Sequence, residues 1–121
     1  QRGDVVVFRF PQDEREYFIK RVIGLPGETV TVRNNTVTIF SDENSRGQIL
    51  DESAYLSKNQ ETLGDLTMKL DDNEYFVLGD NRLHSSDSRR WGPVNQTLVS
   101  GRAYLRLWPF NKILKIPRAH Y

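Results

Sequence analysis

The sequence predicts an all-β domain, mostly antiparallel, arranged as a meander that closes on itself. Three observations carry that expectation. Runs rich in β-branched and aromatic residues recur at "VVVFRF", "YFIKRVI" and "EYFVL". Glycine, proline and asparagine pairs punctuate the runs. No stretch holds a convincing helical period, and no internal repeat is present.

In chain order, Val5–Phe10 reads as a strand that stops at Pro11. Residues 12–16 are charged and turn-like, and residues 17–23 form a second strand ended by "GLPG". "TVTVRNNTVTIF", residues 29–40, alternates about Asn34 and Asn35. Asparagine tolerates the positive φ of a tight turn, so a β-hairpin is expected there. Residues 41–72 are polar and weakly patterned, a surface excursion with a short helix expected near residues 51–56. Glu74–Leu78 is another strand and runs directly into "GDNRLHSSDSRRWG". Residues 98–108 read as the last long strand, interrupted at Gly101.

The chain has 121 residues, 37% hydrophobic and 27% charged, enough for one domain with a modest core. That domain is expected to span residues 1–121, with 41–72 as its variable part. A net charge of +1 provides no strong field for nucleic acid. The basic tail residues Lys112, Lys115 and Arg118 read as a solvated end. The absence of cysteine excludes a disulfide framework, a thiolate zinc site and a cysteine nucleophile. No apolar run approaches the roughly 20 residues of a membrane helix. Gln1 is not an initiator and the first strand begins almost at once, so the chain is expected to be a piece of a longer protein.

Two stretches carry chemistry. In "EYFIKRVIGLPGE", Lys20 sits inside a strand and shares a face with Phe18 and Val22. One reading is an ammonium that snorkels to water from an edge. The other is a desolvated amine, which loses its proton more easily and can serve as a general base for a hydroxyl nucleophile. The second stretch, "GDNRLHSSDSRR", is the densest polar run in the chain. It admits a metal site on Asp80, His84 and Asp87, a local triad of His84 and Asp87 with Ser85 or Ser86, or an anion-binding loop. It equally admits a stapled turn in which the aspartates pair with arginines and the serines satisfy backbone groups.

Together these residues resemble type I signal peptidase, the serine–lysine endopeptidase that removes signal peptides. "RGDVVVF", "YFIKRVIGLPGE" and "GDNRLHSSDSR" stand in the family's order and cover most of the chain outside residues 41–72. The resemblance implies mostly antiparallel coiled sheets of the signal peptidase type. It implies Lys20 as the catalytic base and Ser85 as the hydroxyl that orients it. It implies structural ion pairs of Asp80 with Arg21 and of Asp87 with Arg89. Extended substrate would lie along the strand containing Phe18 and Ile19 by main-chain pairing. No metal or other cofactor is implied, and no nucleic acid. The partners would be signal peptides of exported preproteins. The parent would be held in the cell membrane by an N-terminal anchor, its catalytic domain on the extracytoplasmic side.

The family's nucleophile is a serine in a Ser-Met-x-Pro-Thr type segment ahead of the "RGDVVVF" block. Here no serine precedes Ser41, and Met68 is the single methionine. The chain is therefore expected to lack nucleophile, oxyanion donors and anchor, and to be inactive alone. Three rivals remain. One is a self-cleaving repressor-type serine–lysine peptidase. Another is a non-catalytic relative acting as a binding or assembly factor. The third is a nucleic-acid-binding barrel using Arg82, Arg89, Arg90 and Trp91.

Overall fold

The computed structural model describes residues 1–103 and 119–120. Its first sheet is built on a long hairpin of β1 (Val5–Phe10) and β2 (Asp13–Gly24). β7 (Glu74–Leu78), β8 (Val94–Asn95) and β9 (Val99–Ala103) complete the order β8-β7-β2-β1-β9, all antiparallel. β10 (Ala119–His120) adds to β2 in parallel, at Tyr17 and Phe18. The second sheet has the order β5-β4-β3-β6, from β3 (Thr29–Arg33), β4 (Thr36–Phe40), β5 (Gln48–Ile49) and β6 (Leu66–Lys69). Two sheets thus replace the single closed meander.

The sheets separate where β2 ends. Gly24 lies against the second sheet so closely that a Cβ there would meet Val30 Cγ2 at 2.5 Å and Leu70 Cδ1 at 2.9 Å. Arg2 then pairs with Glu28, whose carboxylate also accepts from Leu25 N, fixing the turn into β3.

Alternation explains both cores. The inward residues of the β3–β4 hairpin, Val30, Val32, Val37 and Ile39, pack with Ile23, Leu70, Phe76 and Leu78. The outward ones are largely threonine, suited to a half-exposed sheet face. Asn34 and Asn35 take φ of 51° and 63°, the geometry of a two-residue hairpin turn. On the opposite face of the first sheet, Val6, Phe8, Phe18, Val22, Val77 and Val94 form a second cluster. There Phe10 stacks on Phe18 at 4.5 Å, and Trp91 meets both rings edge-on.

Three further expectations change. β2 begins at Asp13, because a turn at residues 11–12 brings Asp13 back against Phe10; the charged residues 13–16 are strand. No helix forms at 51–56. Leu56 N bonds Glu52 O in one isolated turn, and one turn does not recover the cost of helix nucleation. The excursion is not all surface: it supplies β5 and β6 to the second sheet, and Thr62 and Leu70 are buried. The last strand is described over Val99–Ala103, with Gly101 at φ 159° beside a register shift opposite Val7 and Phe8. The rest of that predicted strand, to Trp108, and the tail residues Lys112, Lys115 and Arg118 lie outside the described residues. No helix among the described residues is long and apolar enough to cross a membrane.

Candidate active site

The inner strands β1, β2 and β7 bring the two polar stretches together. Lys20 lies opposite Val6 of β1 and points to the aromatic side of the sheet, its Nζ 5.6 Å from the Phe18 ring centroid. The residue is 3% exposed, so the snorkelling alternative does not hold. Nζ donates to Ser85 Oγ at 2.8 Å, across 65 residues of sequence. Burial pushes the amine down from 10.5 to about 8. Asp87 and Asp80 act upward against this and Arg89 acts downward. At about 8, roughly one amine in ten is neutral at pH 7, against about one in three thousand for an ordinary lysine.

Ser85 is held by a loop, residues 79–91, built almost entirely on side chains. Asp87 is 0% exposed; it accepts from Gly79 N and caps α1 (Ser88–Trp91) by accepting from Arg89 N. Arg89 pairs with it twice, Nε at 2.9 Å and Nη2 at 2.8 Å. Ser88 Oγ accepts from Val77 N, and Ser86 Oγ accepts from Trp91 Nε1. The stapled turn and the chemical site are therefore the same object.

On the other side of Lys20, Arg21 grips Asp80 through Nε and Nη2 at 2.9 and 2.7 Å, donates to Gly3 O, and lies 4.1 Å over the Tyr55 ring. Gly79 is there for space. A Cβ would stand 1.8 Å from Ser85 Oγ and 3.3 Å from Lys20 Nζ, so any side chain drives the two apart. A cavity of about 180 Å³ opens on this arrangement, lined by Val5, Ile19, Lys20, Arg21, Gly79, Asp80 and Asn81. Of the two residues expected to contact substrate, Ile19 lines the cavity. The Phe18 side chain does not line it; it packs in the aromatic cluster, on the face it shares with Lys20.

Sequence reasoning passed over three residues that hold this loop from behind. The Arg82 side chain is 0% exposed and gives its donors to Gly79 O, Thr62 Oγ1 and both carboxylate oxygens of Glu52. Leu63 O accepts from Arg89. The one available signal was an aromatic residue, Tyr55, in an otherwise polar excursion. Of Arg82, Arg89, Arg90 and Trp91, the residues of the nucleic-acid-binding alternative, Arg82 is buried against Glu52, Arg89 pairs with Asp87, Trp91 donates to Ser86 and Arg90 is exposed. His84 is exposed, and Asp80 and Asp87 face arginines. No group of three or more metal-ligating side chains occurs among the described residues.

Comparison with known proteins decides the lineage. The family described as signal peptidase, peptidase S26, matches residues 1–108. The chain belongs to the signal peptidase family. Among curated relatives, a probable signal peptidase I-2 from Synechocystis is 38% identical over 119 residues, 93% of this chain and 50% of that protein. A signal peptidase I from Leptolyngbya laminosa is 40% identical over 120 residues, 93% of this chain and 55% of its own length. The chain thus spans about half the length of these relatives. The crystal structure of a signal peptidase I from Enterococcus faecalis V583 aligns with a TM-score of 0.68 at 36% identity, over 85% of this chain and 95% of that one. Mostly antiparallel, curled sheets with almost no helix are what this chain shares with that signal peptidase.

Proposed function

We propose that this chain is part of the catalytic domain of a signal peptidase I and acts, in its parent protein, as a serine endopeptidase on signal peptides of exported preproteins. The parent is held at the cell membrane by an N-terminal anchor, with this domain on the extracytoplasmic side. The observation that carries the reading is the buried Lys20 amine bonded to Ser85 Oγ at 2.8 Å and facing a cavity.

Lys20 is the general base. With one N–H given to Ser85, the neutral amine turns its lone pair to a serine hydroxyl supplied by a segment ahead of residue 1 in the parent. The serine oxygen attacks the scissile carbonyl as its proton passes to Nζ. The ammonium returns that proton to the departing amine, leaving an acyl-enzyme. Water, deprotonated by the same amine, then releases the acid and the serine. Ser85 orients the base, Arg21–Asp80 ties β2 to the start of the loop beside the site, and Asp87–Arg89 shapes the loop that carries Ser85. Main-chain pairing on the β2 edge brings the peptide to Ile19 and the cavity. That the same edge pairs in parallel with β10 at Tyr17 and Phe18 supports its use by an extended peptide.

In the full-length protein, Lys20→Ala is expected to abolish preprotein cleavage, and Ser85→Ala to lower the rate without unfolding the domain. Normal processing by a folded Lys20→Ala protein overturns the assignment of the base.

A further inference from the structure

The excursion between the two chemical blocks is anchored to the loop behind the site at several points, and Glu52 is where they converge. Its side chain is 12% exposed. One oxygen takes Arg82 Nη2 at 2.7 Å and Tyr55 Oη at 2.8 Å; the other takes Arg82 Nη1 at 2.9 Å. From there two short chains of contact reach the site. Arg82 Nε donates to Gly79 O at 2.8 Å, and Gly79 is the residue with no room to move against Ser85. The Tyr55 ring lies under the Arg21 guanidinium that grips Asp80, and both Arg21 and Asp80 line the cavity. Glu52 itself is not among the cavity-lining residues.

We propose that Glu52 is a positioning residue for the Lys20–Ser85 pair, acting through Arg82 on Gly79 and through Tyr55 on Arg21. The proposal rests on the reading of Lys20 as general base. The physical reason is that Arg82 has no water to turn to. A buried guanidinium that loses its carboxylate must be repaired by movement, and the groups that move with it are Gly79 O and Thr62 Oγ1. Loosening Gly79 lengthens the Lys20–Ser85 contact and admits water to the amine. The excursion is thereby a buttress of the site rather than a tolerant insertion.

The test is E52Q in the full-length protein, with E52D and K20A measured beside it. E52Q keeps the shape and removes the charge. It is expected to lower kcat at least tenfold with KM within about twofold. The limb of the kcat–pH profile governed by Lys20 should move to higher pH, which a merely thermal destabilisation does not produce. E52D, which keeps the charge, should recover part of both effects. A folded E52Q with unchanged kcat and unchanged pH limb overturns the proposal. If E52Q does not fold, E52D decides by the same split. If neither folds, Glu52 serves stability alone and the proposal is overturned. K20A separates the two levels: if it still cleaves, the reading of the base fails. If it is inactive while E52Q behaves as the parent, only the role of Glu52 fails.

Discussion

The β3–β4 hairpin and the loop of residues 79–91 are held by opposite physics. The hairpin buries four aliphatic side chains on one face and turns on two asparagines that accept positive φ. Its design is local: register, turn and inward face all follow from twelve consecutive residues, 29–40. The loop buries Arg82, Asp87 and Ser88, and through Ser85 it satisfies Lys20 on β2. It is held by partners far away in sequence: Thr62 and Glu52 for Arg82, Lys20 for Ser85, Arg21 for Asp80. The hairpin can lose a methyl group and keep its shape. In the loop the atoms that hold the fold are one bond from the atoms that would do chemistry, so stability and activity are expected to fall together.

Substitutions break the comparison in order of size. Asp87→Ala leaves Arg89 and Gly79 N without their shared acceptor in a buried setting, and about 3–5 kcal/mol of stability is expected to go, with activity. Thermal denaturation beside a cleavage assay checks this; an unmoved melting temperature refutes it. Gly79→Ala pushes Ser85 from Lys20 while removing no bond of the staple. A loss near hundredfold in kcat is expected, since misplacement on the scale of an ångström costs about that much. Titration sharpens the contrast further. On the proposed role of Lys20 as base, its neutral amine is the active form, so kcat should rise about tenfold per pH unit and level off above about 8. Stability follows the same group. Burial releases the native proton at about 8, while the unfolded lysine holds it to its ordinary 10.5, so stability from Lys20 rises with pH across that window. Lys20→Met should abolish cleavage and flatten the pH dependence of stability. At the small end, Ile39→Val in the hairpin should cost about 0.5–1.5 kcal/mol and leave the pH profile of cleavage where it was. A shifted profile would show that the two regions are coupled.

The same contrast explains what was legible in the sequence. β1, the hairpin and β7 were readable because a period of two and a turn pair are local signals. The start of β2 was misplaced because charged residues 13–16 look like a loop, although pairing with β1 makes them strand. The helix expected near 51–56 failed because only one turn forms there, and one turn does not recover the cost of helix nucleation. Lys20 and Ser85 were named together through the resemblance of their blocks; periodicity alone left Lys20 between an exposed and a buried amine.

By itself, then, the sequence determined an all-β chain, the faces of its strands, and two charge-bearing stretches of a recognisable kind. The tertiary structure decided that Lys20 is buried, that Gly79 is needed for space, and that Glu52 stands behind the site. The reason is physical. Alternation and turn preference act between neighbours and leave a pattern in the sequence. Desolvation and ion pairing act between groups brought together only by folding, at separations such as 30 or 65 residues that carry no period.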